Sequence, residues 1–427
     1  MKTERDWRSS LAIYGRPRLF IILLLGFMSG LPLLITGSTL TYWLSKEGID
    51  RTVIGLFAIV GLPYSYKFLW SPFLDQVPLP LLGAWLGQRR SWLLVLQSLL
   101  AIATYALGRS HPEAQLVVAG WLAVSVAFLS ASQDIVIDAY RIELLEDEEQ
   151  GAGASNTQTG YRIGVLVAGA GAQTLSDHWH FGFIYAALAG IMACCALAVL
   201  FLPRAATRAG RKGTGDWFRH AVVAPFLDFT RHPAWLGILI FAILYKLGDA
   251  VAGGMASPFY HEMGFTGTQI GAITKIYGLL ATIAGTMIGG ALVARLGFFP
   301  ALLWGGIAQS ITNAFFAIVA LHPQDTSWLA LAITMENAGA GMGSAALVAY
   351  LSSLCSREFT ATQYALLSSC AVLGRTFFAG GSGWLASQLG WINFFLAAIV
   401  LAVPGMVMLF YLWWRQARPG TVSEGVP

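Results

Sequence analysis

The stretch Ser130–Arg141 (SASQDIVIDAYR) holds two carboxylates, Asp134 and Asp138, with Gln133 just before the first. Four residues on a helix make about one turn, ~6 Å of rise, so both acids share a face. They close an apolar segment that begins near Leu116. An aspartate inside a bilayer costs on the order of 3 kcal/mol by insertion scales. Two of them need a cavity or a cation, or else a helix end facing water. Other ionisable groups interrupt apolar segments in the same way: Lys67, Arg162, Lys246, Lys275 and Arg375 among the bases, Asp75, Asp249 and Glu336 among the acids. Such groups mark a pathway for a charged solute or a proton, or they form structural ion pairs between helices.

Each carries two readings. Lys67, in PYSYKFLW (63–70), either snorkels to headgroups or faces a cavity as a partner of Asp134. Lys246 and Asp249, three residues apart, are a local ion pair or a substrate and proton site. Glu336, beside Asn337, is too deep for snorkelling and reads as a site group; Gly339, Gly341 and Gly343 after it let helices approach closely. Arg162 and Arg375 fall near the starts of their segments and are interface anchors or substrate cations. Lys275 reads as structural. Asp75, Arg89 and Arg90 occupy one loop and, with Arg141, read as gating scaffold. Aromatic and amide groups suited to sugar rings are Tyr64, Tyr66, Gln133, Tyr245, Asn337, Gln363 and Tyr364. The seven histidines show no ligand spacing, and the four cysteines (Cys194, Cys195, Cys355, Cys370) no metal or disulfide pattern. No metal site and no cofactor are expected. No Walker loop and no Ser-His-Asp arrangement is legible, so neither ATP nor hydrolytic chemistry is indicated.

The elements that position these groups are membrane helices. Of 427 residues, 56% are hydrophobic and 11% charged, against roughly 25% charged in soluble domains. The formal charge of +4 is no nucleic-acid signal. A span needs ~20 apolar residues. Twelve candidates follow: Leu19–Leu44, Val53–Phe73, Ser91–Leu107, Leu116–Tyr140, Gln158–Leu175, Phe183–Leu202, Trp235–Met255, Gln269–Leu292, Pro300–Leu321, Trp328–Leu354, Gln363–Ala386 and Ile392–Trp414. The first is too long for a signal-peptide core and is read as a retained span. Eighteen loop lysines and arginines fall on one side and only Lys46, Arg51 and Arg109 on the other, which predicts both termini in the cytoplasm. A polar, basic stretch over 203–233 divides the spans six and six, giving bundles over 1–202 and 234–427, with an amphipathic piece expected around Trp217–Phe229. The halves look related: Gly48–Gly55 (GIDRTVIG) and Gly264–Gly271 (GFTGTQIG) stand a constant 216 positions apart. Six plus six spans with parallel halves is the plan of the major facilitator superfamily, with substrate between the halves near mid-membrane. The expected fold is therefore all-α, twelve transmembrane helices in two six-helix bundles.

Several stretches carry a narrower resemblance: Gly26–Leu40 (GFMSGLPLLITGSTL), Lys67–Pro72 (KFLWSP), Ser132–Arg141 (SQDIVIDAYR), Tyr245–Asp249 (YKLGD), Met255–Tyr260 (MASPFY), Ala349–Cys355 (AYLSSLC) and Phe359–Ser368 (FTATQYALLS). The chain resembles the AmpG-type permease family, anhydromuropeptide importers of the major facilitator superfamily. Related acetyl-CoA carriers share the Gln-Asp-Ile…Asp core, leaving an acyl-CoA as the rival substrate; the second-half blocks favour the bacterial permease. The resemblance implies proton-driven import of the anhydro disaccharide of recycled cell wall, with or without its stem peptide, across the bacterial inner membrane. Its partners would be the muropeptide, protons and membrane lipid, the chain acting as a monomer without nucleic acid. A stem peptide is rich in carboxylates, for which Lys67, Arg162, Lys246 and Arg375 are available counter-charges. Asp134, Asp138, Asp249 and Glu336 are the candidate proton groups. A polytopic enzyme would instead need catalytic groups in its loops, and these loops are short.

Overall fold

Proline and glycine set several of the points where the helices of this protein break. The computed structural model describes residues 13–49, 57–176, 178–204, 223–232 and 234–417. Within them the chain makes twelve helical passes, and no strand is present among the described residues. The first pass runs Pro17–Thr36 and continues, after a break at Gly37, through Ser38–Lys46. The second is fragmented: Phe57–Gly61, Leu62–Tyr66, Lys67–Leu69 and Ser71–Gln76, with prolines at the starts of two pieces. The third and fourth are continuous, Gln88–Arg109 and Leu116–Leu144. The fifth joins Gln150–Leu166 to Ala172–Leu175 through a π turn, and the sixth is Phe181–Val199.

A short helix, Ala224–Thr230, precedes the second half. The expected amphipathic piece before it, residues 217–222, lies outside the described residues, as do 50–55 of the first repeat block and the side chain of Lys275. The seventh pass is Trp235–Leu244, Leu247–Gly254 and Ala256–Glu262, broken at Tyr245 and Lys246. The eighth is Gly267–Ile273, a π turn and Leu279–Leu296. The ninth is Phe298–Leu321 and the tenth Thr326–Ser353. The eleventh starts as Thr360–Gly380 and runs on to residue 389; Gly390, at φ 69°, turns the chain into the twelfth, which ends as Val403–Ala417. Both described ends of the chain and the interbundle helix lie on one face, called here the terminal face.

Eight of these runs are long and apolar enough to cross a bilayer by length and composition. The second, fifth, tenth and eleventh are not among them. The second is too broken. The other three carry amides, hydroxyls and charges that lower their hydropathy. The fifth begins eight residues earlier than its hydropathy predicts, at Gln150, because Gly151–Ser155 are buried against other helices. Glycine makes that packing possible. A Cβ on Gly26 or Gly30 of the first pass would overlap the carbonyls of Thr157 and Tyr161 on the fifth, and one on Gly160 or Gly164 would overlap the first pass in return.

Candidate functional site

The two halves close on each other toward the terminal face. Asp75, at the end of the second pass, is buried. Its Oδ1 accepts from Arg89 Nη2 at 2.6 Å, and Arg89 also forks onto Glu143 at 2.6–3.1 Å. Its Oδ2 accepts from the backbone N–H and hydroxyl of Thr362, both at 3.1 Å, in the other half. Thr362 lies in the first turn of the eleventh pass, whose own preceding residue Phe359 offers no cap. An aspartate of one half therefore caps a helix of the other, meeting unsatisfied N–H groups and the positive end of the helix dipole. Arg141 adds a second bridge: Nη2 donates to Ser352 Oγ at 2.8 Å, and the guanidinium lies 5.4 Å from the Tyr364 ring centre. The Tyr14 hydroxyl donates to Met287 O at 2.9 Å, and Thr159 and Thr286 meet at 3.2 Å. The fifth and eighth passes touch where Gly151 and Gly290 face each other; a Cβ on Gly290 would come within 2.7 Å of Gly151 O and overlap the Tyr14 hydroxyl. The hydrogen bonds that cross between halves, among the described residues, all lie from the terminal face to about mid-depth.

Beyond this seam, further polar groups of both halves lie inside the bundle. Counting 1.5 Å per residue from the helix ends on the terminal face, Asp138 lies about 9 Å deep, Lys67 about 14 Å, Asp134 about 15 Å, Arg162 about 18 Å and Arg375 about 22 Å. Sequence reasoning put both arginines near helix starts; the longer fifth and eleventh helices carry them to mid-depth. Both are exposed. Arg162 lies within electrostatic reach of Glu336 in the opposite half, and Arg375 within reach of Tyr161 in the opposite half and of Asp249. The structure thus places two exposed cations, one from each half, at mid-depth with neighbours across the halves.

In the amino-terminal half, Lys67 Nζ lies 3.9 Å from Asp138, which also faces Arg141 at 3.8 Å. The closest partner of Lys67 is Asp138 rather than Asp134. Asp134 Oδ1 instead accepts from Ser29 Oγ at 2.6 Å, one turn above, with Lys67 and Asp138 both in electrostatic reach. The Tyr64 hydroxyl is buried near Asp134, with the Ser130 and Thr36 hydroxyls beside it.

In the other half, Lys246 sits at the break of the seventh pass with all three N–H donors taken: Gln309 Oε1 at 2.8 Å, Ala340 O at 3.1 Å and Asp249 Oδ2 at 3.2 Å. Of its two sequence readings, the local ion pair is the one the geometry supports. Asn337 donates to Glu336 Oε2 at 2.7 Å and accepts from Thr282 at 3.0 Å, which ties the tenth pass to the eighth.

Five residues grouped with the site by sequence do other work. Pro32 has no N–H, so the Met28 carbonyl lacks its helical donor; Gln133 Nε2, fully buried, supplies one at 2.9 Å. Tyr245 is buried, its hydroxyl bonded to Leu302 O at 2.8 Å. Gln363 is consumed by Pro225 O, Asp228 and the Ser356 N–H at the terminal face, and Tyr364 packs under Arg141 there. Arg90 caps the end of the sixth pass through the carbonyls of Val199 and Leu200, within its own half. Sequence reasoning missed Gln309, Ser29 and Tyr161. Gln309 was visible as an amide in the middle of an apolar span, the same signal that picked out Asn337. Among the described residues no cluster of histidine, cysteine, aspartate or glutamate is arranged to hold a metal.

The family profile described as Major Facilitator Superfamily matches residues 19–260 and again 242–426. The chain is 42% identical over 403 residues to the anhydromuropeptide permease of Escherichia coli strain K12, covering 93% of this chain and 80% of that protein. It is 40% identical over 409 residues to a putative transporter, AmpG 4, of Rickettsia felis, covering 94% and 97%. Among solved structures, the major facilitator proton:xylose symporter XylE bound to 6-bromo-6-deoxy-D-glucose superposes with a TM-score of 0.71 over 93% of this chain and 94% of that one. At 11% identity that likeness speaks for the fold alone.

Proposed function

This chain belongs to the AmpG-type anhydromuropeptide permease family of the major facilitator superfamily and is a membrane transporter, not an enzyme; from that premise we propose that it imports anhydromuropeptides across the bacterial inner membrane in symport with protons, for reuse of cell-wall material. The observation that carries the substrate class is the pair Arg162 and Arg375. They are exposed, come from opposite halves, and lie at mid-depth above a seam closed toward the terminal face. A stem-peptide carboxylate held by both would draw the halves together, which is what a substrate must do to trigger alternating access. On this reading the terminal face is cytoplasmic, in line with its basic loops, and the cavity opens to the periplasm.

The proton path runs along the fourth pass. Asp134 and Asp138 stack one turn apart, with Lys67 between them and Arg141 below. Protonating Asp138 would release Lys67 and Arg141 at once, and Arg141 is also a bridge of the seam. A proton on this acid therefore loosens the cytoplasmic closure. Asp249 and Glu336 are the corresponding acids of the other half. The test is uptake of labelled muropeptide into vesicles under an imposed pH gradient. The Asp134→Asn, Asp138→Asn double variant should equilibrate substrate without accumulating it. Accumulation at the wild-type level would end the proton assignment, and wild-type uptake that is indifferent to muropeptide competitors would end the substrate assignment.

A further inference from the structure

The seventh and twelfth passes leave a groove of about 460 Å³ on the terminal side of the carboxyl-terminal half. Trp235, Gly237 and Ile240 line one wall, Met408, Tyr411 and Arg415 the other. The groove has a direction. Trp235 is the first residue of its helix and Arg415 lies in the last turn of its own, so both sit at the membrane surface. Ile240 and Met408 lie five and seven residues further in, about 8 Å and 10 Å deep. Along that depth the lining changes from guanidinium, phenol and indole to plain aliphatic carbon. That is the polarity profile of a phospholipid seen from headgroup to acyl chain. Gly237 keeps the groove open: a Cβ there would lie 3.3 Å from side-chain carbons of Leu412 and Met408 and 3.5 Å from Tyr411, so a larger side chain fills the space.

Charge selects the headgroup. Arg415 donates to the Tyr411 hydroxyl at 3.2 Å, and among the described residues no carboxylate pairs with it. His232 lies in its electrostatic neighbourhood and Arg231 is exposed next to it. Asp228, on the adjoining short helix, is engaged by Gln363 at 2.8 Å. A cationic end with no carboxylate partner among the described residues, leading into an apolar slot whose Leu236 and Ile240 are exposed, fits an amphiphile with a negative head.

We propose that this groove is a binding site for an anionic phospholipid of the leaflet on the terminal side, with Arg415 as the phosphate ligand, Trp235 and Tyr411 flanking the glycerol region, and Ile240 and Met408 against an acyl chain. The occupant is a lipid and not a soluble phosphate, because half the groove is aliphatic. The assignment is independent of what the central cavity carries.

The experiment is native mass spectrometry of the delipidated full chain titrated with phosphatidylglycerol or with phosphatidylcholine of the same acyl chains. Phosphatidylglycerol should be retained preferentially. Arg415→Gln should lower its retention about fivefold, the effect of one interfacial cation, and leave phosphatidylcholine unchanged. Arg415→Lys should restore most of the preference. Gly237→Leu, which fills the groove and leaves the charge, should lower retention of both lipids; if that variant fails to fold, the Arg415 pair still decides. Equal retention of the two lipids, or an Arg415→Gln variant that behaves as wild type, would mean general annular contact and overturn the site. Competition by inorganic phosphate at millimolar concentration would overturn the lipid assignment as well.

Discussion

Removing the Asp75 side chain isolates the energy that holds the halves together. Asp75→Ala deletes a buried carboxylate with two sets of partners. The Arg89 bond lies within the amino-terminal half, and Glu143 continues to hold Arg89 at 2.6 Å, so this loss is common to every conformation of the transporter. The two bonds to Thr362 exist only while the seam is closed. Loss of a helix cap costs about 0.5–2 kcal/mol, and an acid at a helix amino end adds about 0.3–1 kcal/mol. The closed state should therefore lose about 1–2 kcal/mol relative to the open one, a five- to thirty-fold shift. A wild-type open minority of about 1% would rise to roughly 5–20%. Spin labels at the exposed positions Asp147 and Arg357, one on each half at the terminal face, read this directly by pulsed dipolar spectroscopy. The variant should add a long-distance component in about that proportion. Thr362→Val, which removes one of the two bonds, should give a smaller component, and the double variant should add little to Asp75→Ala alone. A distance distribution identical to wild type, alongside a lowered melting temperature, would show that Asp75 serves only its own half and refute the cap argument.

Two further substitutions probe the seam and the buried charges. Gly290→Leu places carbon where Tyr14, Gly151 and Ser155 already lie, the last 2.9 Å from a Cβ, so the closed seam cannot form; transport should fall below about a tenth of wild type with helicity retained and the spin-label pair in its long-distance state. Lys246→Met leaves Asp249 and Gln309 Oε1 without their donor inside the carboxyl-terminal half; the expected loss is about 3–5 kcal/mol, or roughly 6–20 °C in thermal unfolding, partly recovered by Asp249→Asn. An unchanged melting temperature with a raised KM for peptide-bearing substrate would instead return Lys246 to the binding site.

The sequence made the number of passes legible, because each must hide its backbone in about 20 residues and because the loops alternate in charge. It also singled out the charged side chains, whose cost in lipid makes them conspicuous. What it concealed was direction. Gln133, Tyr245 and Gln363 carry the right chemistry for sugar recognition, yet each is spent on a backbone group: a carbonyl freed by Pro32, a carbonyl of the ninth pass, and the interbundle helix. Those partners are remote in the chain, and no spacing rule points to them. The same limit hid the partition of the charges. Lys246 and Arg375 look alike as isolated cations in apolar segments, and only the fold shows that one is saturated and the other exposed. The helix breaks were half legible: Pro63 and Pro72 announce theirs, whereas the break at Tyr245 and Lys246 has no proline or glycine and is stabilised from outside by Gln309.

The cap on the eleventh pass has a spectroscopic corollary. Phe359 at the start of that helix makes no side-chain cap, and the Thr362 N–H borrows Asp75 from across the seam. Each time the halves part on this face, the loan lapses and the turn from Thr360 to Gln363 frays, exposing amide protons that were locked before. Deuterium uptake at this one turn, measured as a rate, is therefore a clock for the transport cycle. It should run faster as substrate drives turnover, and it should stand still, fully exchanged, in a variant wedged apart at Gly290.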